Sequence, residues 1–297
     1  MGVRSLSESD RIETHAGSRR MWALRHACDR RSIATVAVTL VLLFIPQWLA
    51  LHAGWAVVWI LLSILACCAT HVVVHNHCHR PLFVDLRANG AFNMVASVAR
   101  GHCVSDVYVA HVLNHHAQRG GENDWIATSL GGQGHPGMRL LRFIVRASRS
   151  MVRERNRLPA RGRALLPEPF ASSVVWEKRL LPLVIVLLFW HDWRSACLYA
   201  FLPWSLSLAW LVGVNYIQHE DCEPDAQFAH SRNFTGGWTN WLLFNNGYHT
   251  AHHAAPGLHW SETSGLHAQL AAQIPQGLVE PSAIRYMIRR YVRRQGA

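Results

Sequence analysis

The sequence predicts an all-α integral membrane protein, with four transmembrane helices in two hairpins and a cytoplasmic histidine-rich cap that holds a two-metal site. Three observations carry this reading. Half of the 297 residues are hydrophobic and only 16% are charged, against about 25% in an ordinary soluble domain. Charge is missing from two long stretches. The histidines, 20 in all, gather into short clusters beside those stretches.

Taken in order, residues 1–31 form a basic N-terminal tail with Arg4, Arg11, Arg19, Arg20, Arg25, Arg30 and Arg31. It is not a signal peptide, because its first apolar run begins too late and is too long. No Asp, Glu, Lys or Arg occurs between Arg31 and Arg80. At about 20 apolar residues per crossing, that stretch gives spans at about 33–50 and 55–74, with Leu51–Gly54 as the turn. Trp48 and Trp55 then lie at a shared interface, where amphipathic rings prefer to sit. Met138–Arg157 mixes apolar residues with Arg at helical spacing and reads as an interfacial helix on anionic lipid.

Leu180 to Ile217 is the second apolar block, interrupted only by Asp192 and Arg194. It gives spans at about 180–193 and 196–217. Leu180–Trp190 is short and contains Pro182, so it needs Lys178 and Arg179 to snorkel or a locally thinned bilayer. Retaining it as a span keeps both halves of the chain on one side. The membrane domain thus runs over 32–260, and 261–297 is a basic C-terminal tail.

The net charge is +11, almost all from Arg, since Lys178 is the one lysine. Nucleic-acid binding would place that charge on a soluble face with stacking aromatics; here it flanks the apolar blocks. The tails and the run from Arg139 to Arg163 lie in the cytoplasm by the positive-inside rule. Seven cysteines show no framework spacing, which fits reduced thiols.

His75 and His79 end the second span, four residues apart and so on one helix face. HVLNHH contributes His111, His115 and His116, with His111 and His115 on one face and His116 turned about 100° away. HTAHH contributes His249, His252 and His253. Asn215 and His219 close the last span, again four apart. Adjacent histidines suit two ions, one ring reaching each, and imidazole suits Zn, Cu, Fe and Ni. His71 lies inside the apolar span and His77 points off the His75–His79 face, so neither joins the set. HExxH and ExxH are absent, as is a P-loop lysine, which sets aside zincin, carboxylate-bundle and nucleotide chemistry.

The ordered set HNHCH, HVLNHH and HTAHH, with Asn-x-x-x-His after the last span, resembles the membrane fatty acid desaturase/hydroxylase superfamily. His230 to Trp260, with HSRNF and LLFNNGYHTAHHAAPGLHW, is similar to bacterial fatty acid desaturases. The resemblance covers roughly Ile33 to Trp260. It implies two iron ions held by His75, His79, His111, His115, His116, His219, His249, His252 and His253, with Asn215 holding a metal-bound water. It implies an oxidoreductase that uses O₂ and two external electrons on a fatty acyl lipid or acyl thioester, most often inserting a cis double bond. A lipid or carotenoid hydroxylase or ketolase is the alternative within the superfamily, and a metal-transport protein the alternative outside it. The spans carry almost no ionisable groups along a path, which favours the enzyme. Electrons are expected from a separate ferredoxin- or rubredoxin-type protein, and the location is the bacterial cytoplasmic membrane, multi-pass, with termini and active site inside. Trp125, Trp238 and Trp241 are candidate walls of an acyl tunnel, and Arg232 a candidate contact to an acidic head group.

Overall fold

The computed structural model describes residues 21–118, 120–157 and 165–292. Arg4, Arg11, Arg19, Arg20 and Arg163, and the C-terminal arginines beyond Val292, lie outside the described residues.

Helix α1, Arg30–Phe44, continues as a 3₁₀ turn, Ile45–Trp48. After a short turn, α2 runs over Ala53–His79 without a break, so the last turn of the apolar helix itself carries His75 and His79. Thr39 and Thr70 hydroxyls meet at 2.8 Å and tie the pair together. Helix α3, Leu86–Arg100, starts at Asp85, whose carboxylate accepts from the Arg87 and Ala88 amides; this is an N-cap.

The next segment begins as α4, Val104–Val107, and passes into π-helix over Tyr108–His115. Helix α5, Pro136–Arg157, buries Phe143 and Ala147 in one cluster with Val212 and Tyr216. Met138, Leu141, Val145 and Val152 of the same helix stay exposed, so an apolar strip faces outward.

Helix α6, Phe170–Ala196, begins ten residues earlier than the short apolar run suggests. From Phe170 to His191 it is about 33 Å long at 1.5 Å per residue, with Lys178 and Arg179 exposed in its first half. It breaks at Asp192 (φ −157°, ψ 105°), whose carboxylate accepts from the Arg194 and Ser195 amides and the Ser195 hydroxyl. The chain then enters π-helix Cys197–Phe201 and α7, Leu202–His219. Among the described residues, two helical runs are long and apolar enough to cross a membrane, Ala53–His79 and Phe170–His219. Trp48, Trp55, Trp190 and Trp193 are all exposed, and Trp48 packs on His191 at 3.8 Å, so the two turns share one apolar end.

Buried Glu177 fixes α3, α4 and α6 together. Its carboxylate accepts from the Ser97 hydroxyl at 3.0 Å, the Ser105 amide at 3.0 Å, and the Ser105 and Ser173 hydroxyls at 2.6 Å each. A buried carboxylate with four donors is fully compensated, and here it sets the start of the segment that carries His111, His115 and His116.

The C-terminal residues expected to be a tail are packed instead. Strand β1, Asn233–Phe234, pairs in parallel with β2, Val279–Glu280, and α11, Ala283–Met287, buries Tyr286, which donates to Glu220 at 2.8 Å. Between them stand α8, Gly237–Leu242, α9, His249–Ala254, and α10, Thr263–Leu270. All seven cysteines are free thiols.

Candidate metal centre

The four histidine-bearing segments end at one place. His75, His79, His111 and His252 bring one ring nitrogen each to within 4.8 Å of one another, and His115, His219, His249 and His253 do the same in a second group. His116 Nε2 lies 3.0 Å from both His111 Nε2 and His252 Nε2, beside the first group. In the second, His249 Nε2 is 2.9 Å from His219 Nε2 and 3.1 Å from His253 Nε2.

The sorting of HVLNHH differs from its α-helical reading. His111 joins the first group with His116 beside it, and His115 turns to the second. A π-helix runs over Tyr108–His115; its i→i+5 bonding widens the turn, so positions five apart come nearer to one face than in an α-helix. His252 and His253, adjacent on α9, also divide between the groups.

Several partners aim these rings. His115 Nδ1 lies 2.8 Å from Asp124, whose carboxylate also accepts from the Gly120 and Ile126 amides at 2.9 Å. Burial pushes the Asp124 pKa up, but the His115 bond, its charge and those amides outweigh it and leave the carboxyl below its ordinary value. His219 Nδ1 donates to the His230 carbonyl at 3.0 Å. Each arrangement leaves Nε2 as the free donor, the usual way a protein orients a metal-binding imidazole. The α9 helix rests on the HSRNF strand: Asn233 accepts from the Thr250 amide at 3.0 Å and donates to the Thr250 hydroxyl at 2.7 Å.

The donor set fits a transition metal. The Nε2 atoms of His75, His79 and His115 are buried with no hydrogen-bond partner among the described residues, a cost of about 1–3 kcal/mol each unless something fills the gap. Separations near 3 Å match neighbouring ligands on an ion with metal–nitrogen bonds of about 2.1 Å. Burial first, and then neighbouring imidazoles, hold His111, His249, His252 and His253 well below the ordinary value of 6.5, so they remain neutral and able to bind. The sign for stability follows. Below 6.5 the unfolded imidazoles take up protons that the native ones refuse, so stability falls as pH falls. Metal-free protein in detergent is expected to melt at a lower temperature at about pH 5.5 than at about pH 7.5; equal midpoints would contradict this.

An apolar cavity of about 210 Å³ meets the histidines. His75, His111, His249 and Asn215 line one part, and Trp125, Leu208, Leu211 and Val212 line more of it. Asn215 Nδ2 is buried and has no partner among the described residues. Trp238 and Trp241 do not line the cavity and are exposed; Trp241 stacks under Arg31 instead. Arg232 is buried, donates to the Ile217 and Glu220 carbonyls and lies over the Tyr286 ring, so it anchors the loop after α7 away from the cavity. His71 and His77 stay out of both groups: His71 binds Ser207 and Arg100, and His77 accepts from the Leu82 amide.

Sequence reasoning passed over Asp124, His230 and Gln218. Asp124 adjoins Trp125 with no motif to mark it. His230, at the head of HSRNF, has its ring 5.1 Å from that of His253. Gln218, which lines the cavity, donates to the Asn246 carbonyl.

The fatty acid desaturase family matches residues 53–282. The chain belongs to that family. Among curated proteins, none matches it. As a fatty acid desaturase family member it is a membrane-associated oxidoreductase, and desaturase- or hydroxylase-type oxidation of fatty acyl chains is the chemistry of the family. The match extends past Trp260 into the packed C-terminal region, so the desaturase fold here includes the β1–β2 pair and its surroundings.

Proposed function

We propose that this desaturase inserts a cis double bond into a fatty acyl ester or thioester, with two iron ions held by the nine clustered histidines. The observation that carries the reading is the pair of four-histidine groups at the end of an apolar cavity. His75, His79, His111, His116 and His252 would hold one ion, and His115, His219, His249 and His253 the other, with Asn215 holding a bound water. The chemistry supplied there is oxidation of an unactivated C–H by O₂ with two electrons from a separate ferredoxin- or rubredoxin-type donor. In balance, CH₂–CH₂, O₂, two electrons and two protons give CH=CH and two waters. The chain's own residues orient and enclose. Asp124 and the His230 carbonyl aim the imidazoles, and Trp125, Leu208, Leu211 and Val212 keep water from the acyl chain, which gains by desolvation and fixed alignment.

Four crossings support a location in the bacterial cytoplasmic membrane. The Arg30–Trp48 run has 15 α and 4 3₁₀ residues, about 30 Å, matching the bilayer core. With the two halves of Phe170–His219 and with Ala53–His79, this gives two hairpins whose histidine ends lie with the arginines, on the cytoplasmic side. Reporter fusions at Ala53 and after Gly296 are expected to report outside and inside respectively; an external C-terminus would overturn the topology.

Lipid mass spectrometry of an expressing host, against a strain carrying His249→Ala, tests the reaction. Loss of two hydrogens with no added oxygen is expected, and is absent in the variant. One added oxygen would assign a hydroxylase, and oxidised carotenoids with unchanged lipids a ketolase.

A further inference from the structure

The cavity has a polar end as well as a metal-facing one. Arg100, His102 and Asp106 line it together with His71. Arg100 is only 2% exposed. Its Nε donates to His71 Nδ1 at 2.9 Å, and its Nη1 donates to the His102 and Cys103 carbonyls at 3.3 Å each. Since His71 Nδ1 accepts, its Nε2 carries the proton and donates to the Ser207 hydroxyl at 3.1 Å. Arg100 Nη2, with two N–H donors, has no hydrogen-bond partner among the described residues.

This guanidinium is also held in place. Gly101 follows it at φ +72°, and a Cβ there would lie 2.4 Å from the Trp204 ring, so the turn is locked against α7. Leu208, beside Ser207, and Asn215 both line the cavity. They are seven residues apart, which is about 10 Å along α7. The polar end therefore stands a fixed distance from the histidines. Val152 lines the same cavity and is 51% exposed, so the cavity wall reaches the surface.

We propose that Arg100 registers the substrate: its Nη2 donates to the carbonyl oxygen of an acyl ester or thioester and so decides which carbons reach the histidine centre. This rests on the acyl-oxidation reading above. One free nitrogen suits a single acceptor oxygen, whereas carboxylates favour the two-nitrogen fork. A glycerolipid ester and a carrier thioester share the carbonyl that Arg100 would bind.

The test uses the full chain in host membranes fed a series of saturated chain lengths, with product position read by mass spectrometry and metal content read beside it. Wild type is expected to oxidise the same carbons counted from the carbonyl at every length. Arg100→Leu is expected to keep its metal but spread the product over several positions, and Arg100→Lys to restore one position at lower rate. A merely structural Arg100 would change yield and leave position alone. Wild type counting from the methyl end, or Arg100→Leu with metal bound and position unchanged, overturns the proposal. If Arg100→Leu does not accumulate, the wild-type series still decides. Pulse labelling separates the two sources by which pool, thioester or glycerolipid, first carries the product; first appearance in free acid overturns the assignment. If wild type yields no oxidised acyl product at all, the functional reading falls with it, whereas the other failures leave that reading standing.

Discussion

Replacing His252 and His253 together with alanine is expected to strip the protein of nearly all bound iron and abolish activity. The two rings are adjacent on α9 yet belong to different groups, so one double variant removes a donor from each. Losing even a supporting partner of a ligand costs roughly 10–100-fold in metal affinity, and losing the ligand itself costs at least that. The single variants separate the groups. His252→Ala is expected to deplete one ion per chain, and His253→Ala the other. Protein grown with added iron, purified and analysed for metal, provides the measurement. Zinc competes well for imidazole, so total metal must be counted. His52→Ala, at an exposed histidine outside both groups, is expected to keep two ions. Full occupancy in the double variant would sink the ligand assignment.

The second large effect is expected at a residue with no side chain. A Cβ on Gly247 would lie 2.1 Å from the Phe234 carbonyl oxygen and 2.6 Å from Asn240 Oδ1. The close approach is built in, because the Phe234 amide donates to the Gly247 carbonyl at 2.8 Å and the Gly247 amide to Asn240 Oδ1 at 3.0 Å. Gly247→Ala must therefore push β1 and the start of α9 apart. Overpacking of this kind costs about 1–3 kcal/mol, or more where backbone must move. His249 stands two residues on, and a displacement of about 1 Å at a reacting centre can cost on the order of 100-fold in rate. Melting temperature, iron content and acyl oxidation are all expected to drop. Gly265→Ala is the comparison: nothing lies within 4 Å of the new Cβ, the site is in α10, and helix propensity favours Ala. A Gly247→Ala protein as stable and active as Gly265→Ala would refute the packing argument.

The apolar helices and the histidine clusters were legible in the sequence, because both depend on local pattern. A stretch without charge, long enough to cross a bilayer, reads directly as a helix in lipid. His75 with His79, and His249 with His252 and His253, follow from the pitch of an α-helix. The beginning of α6 was not legible, since Phe170–Arg179 holds Glu177, Lys178 and Arg179 and looks polar until Glu177 is seen with its serine donors on α3 and α4. Nor was the packing of residues beyond Trp260, whose basic composition hides a buried Tyr286 and a strand partner for β1. The sorting of HVLNHH was not legible either, because it depends on the facing rings of α2, α7 and α9 and on a π-helix that leaves no mark in composition. Arg232 went elsewhere because the loop after α7 folds back on that helix, and Trp241 because α8 meets Arg31 of α1, choices made by contacts distant in sequence. By itself, then, the sequence determined which residues have metal-binding chemistry and which stretches avoid water. The tertiary structure alone decided which ring joins which group, that Asp124 and the His230 carbonyl aim them, and that Arg100 lines the same cavity as the histidines, because each of these depends on distances between segments that no local periodicity encodes.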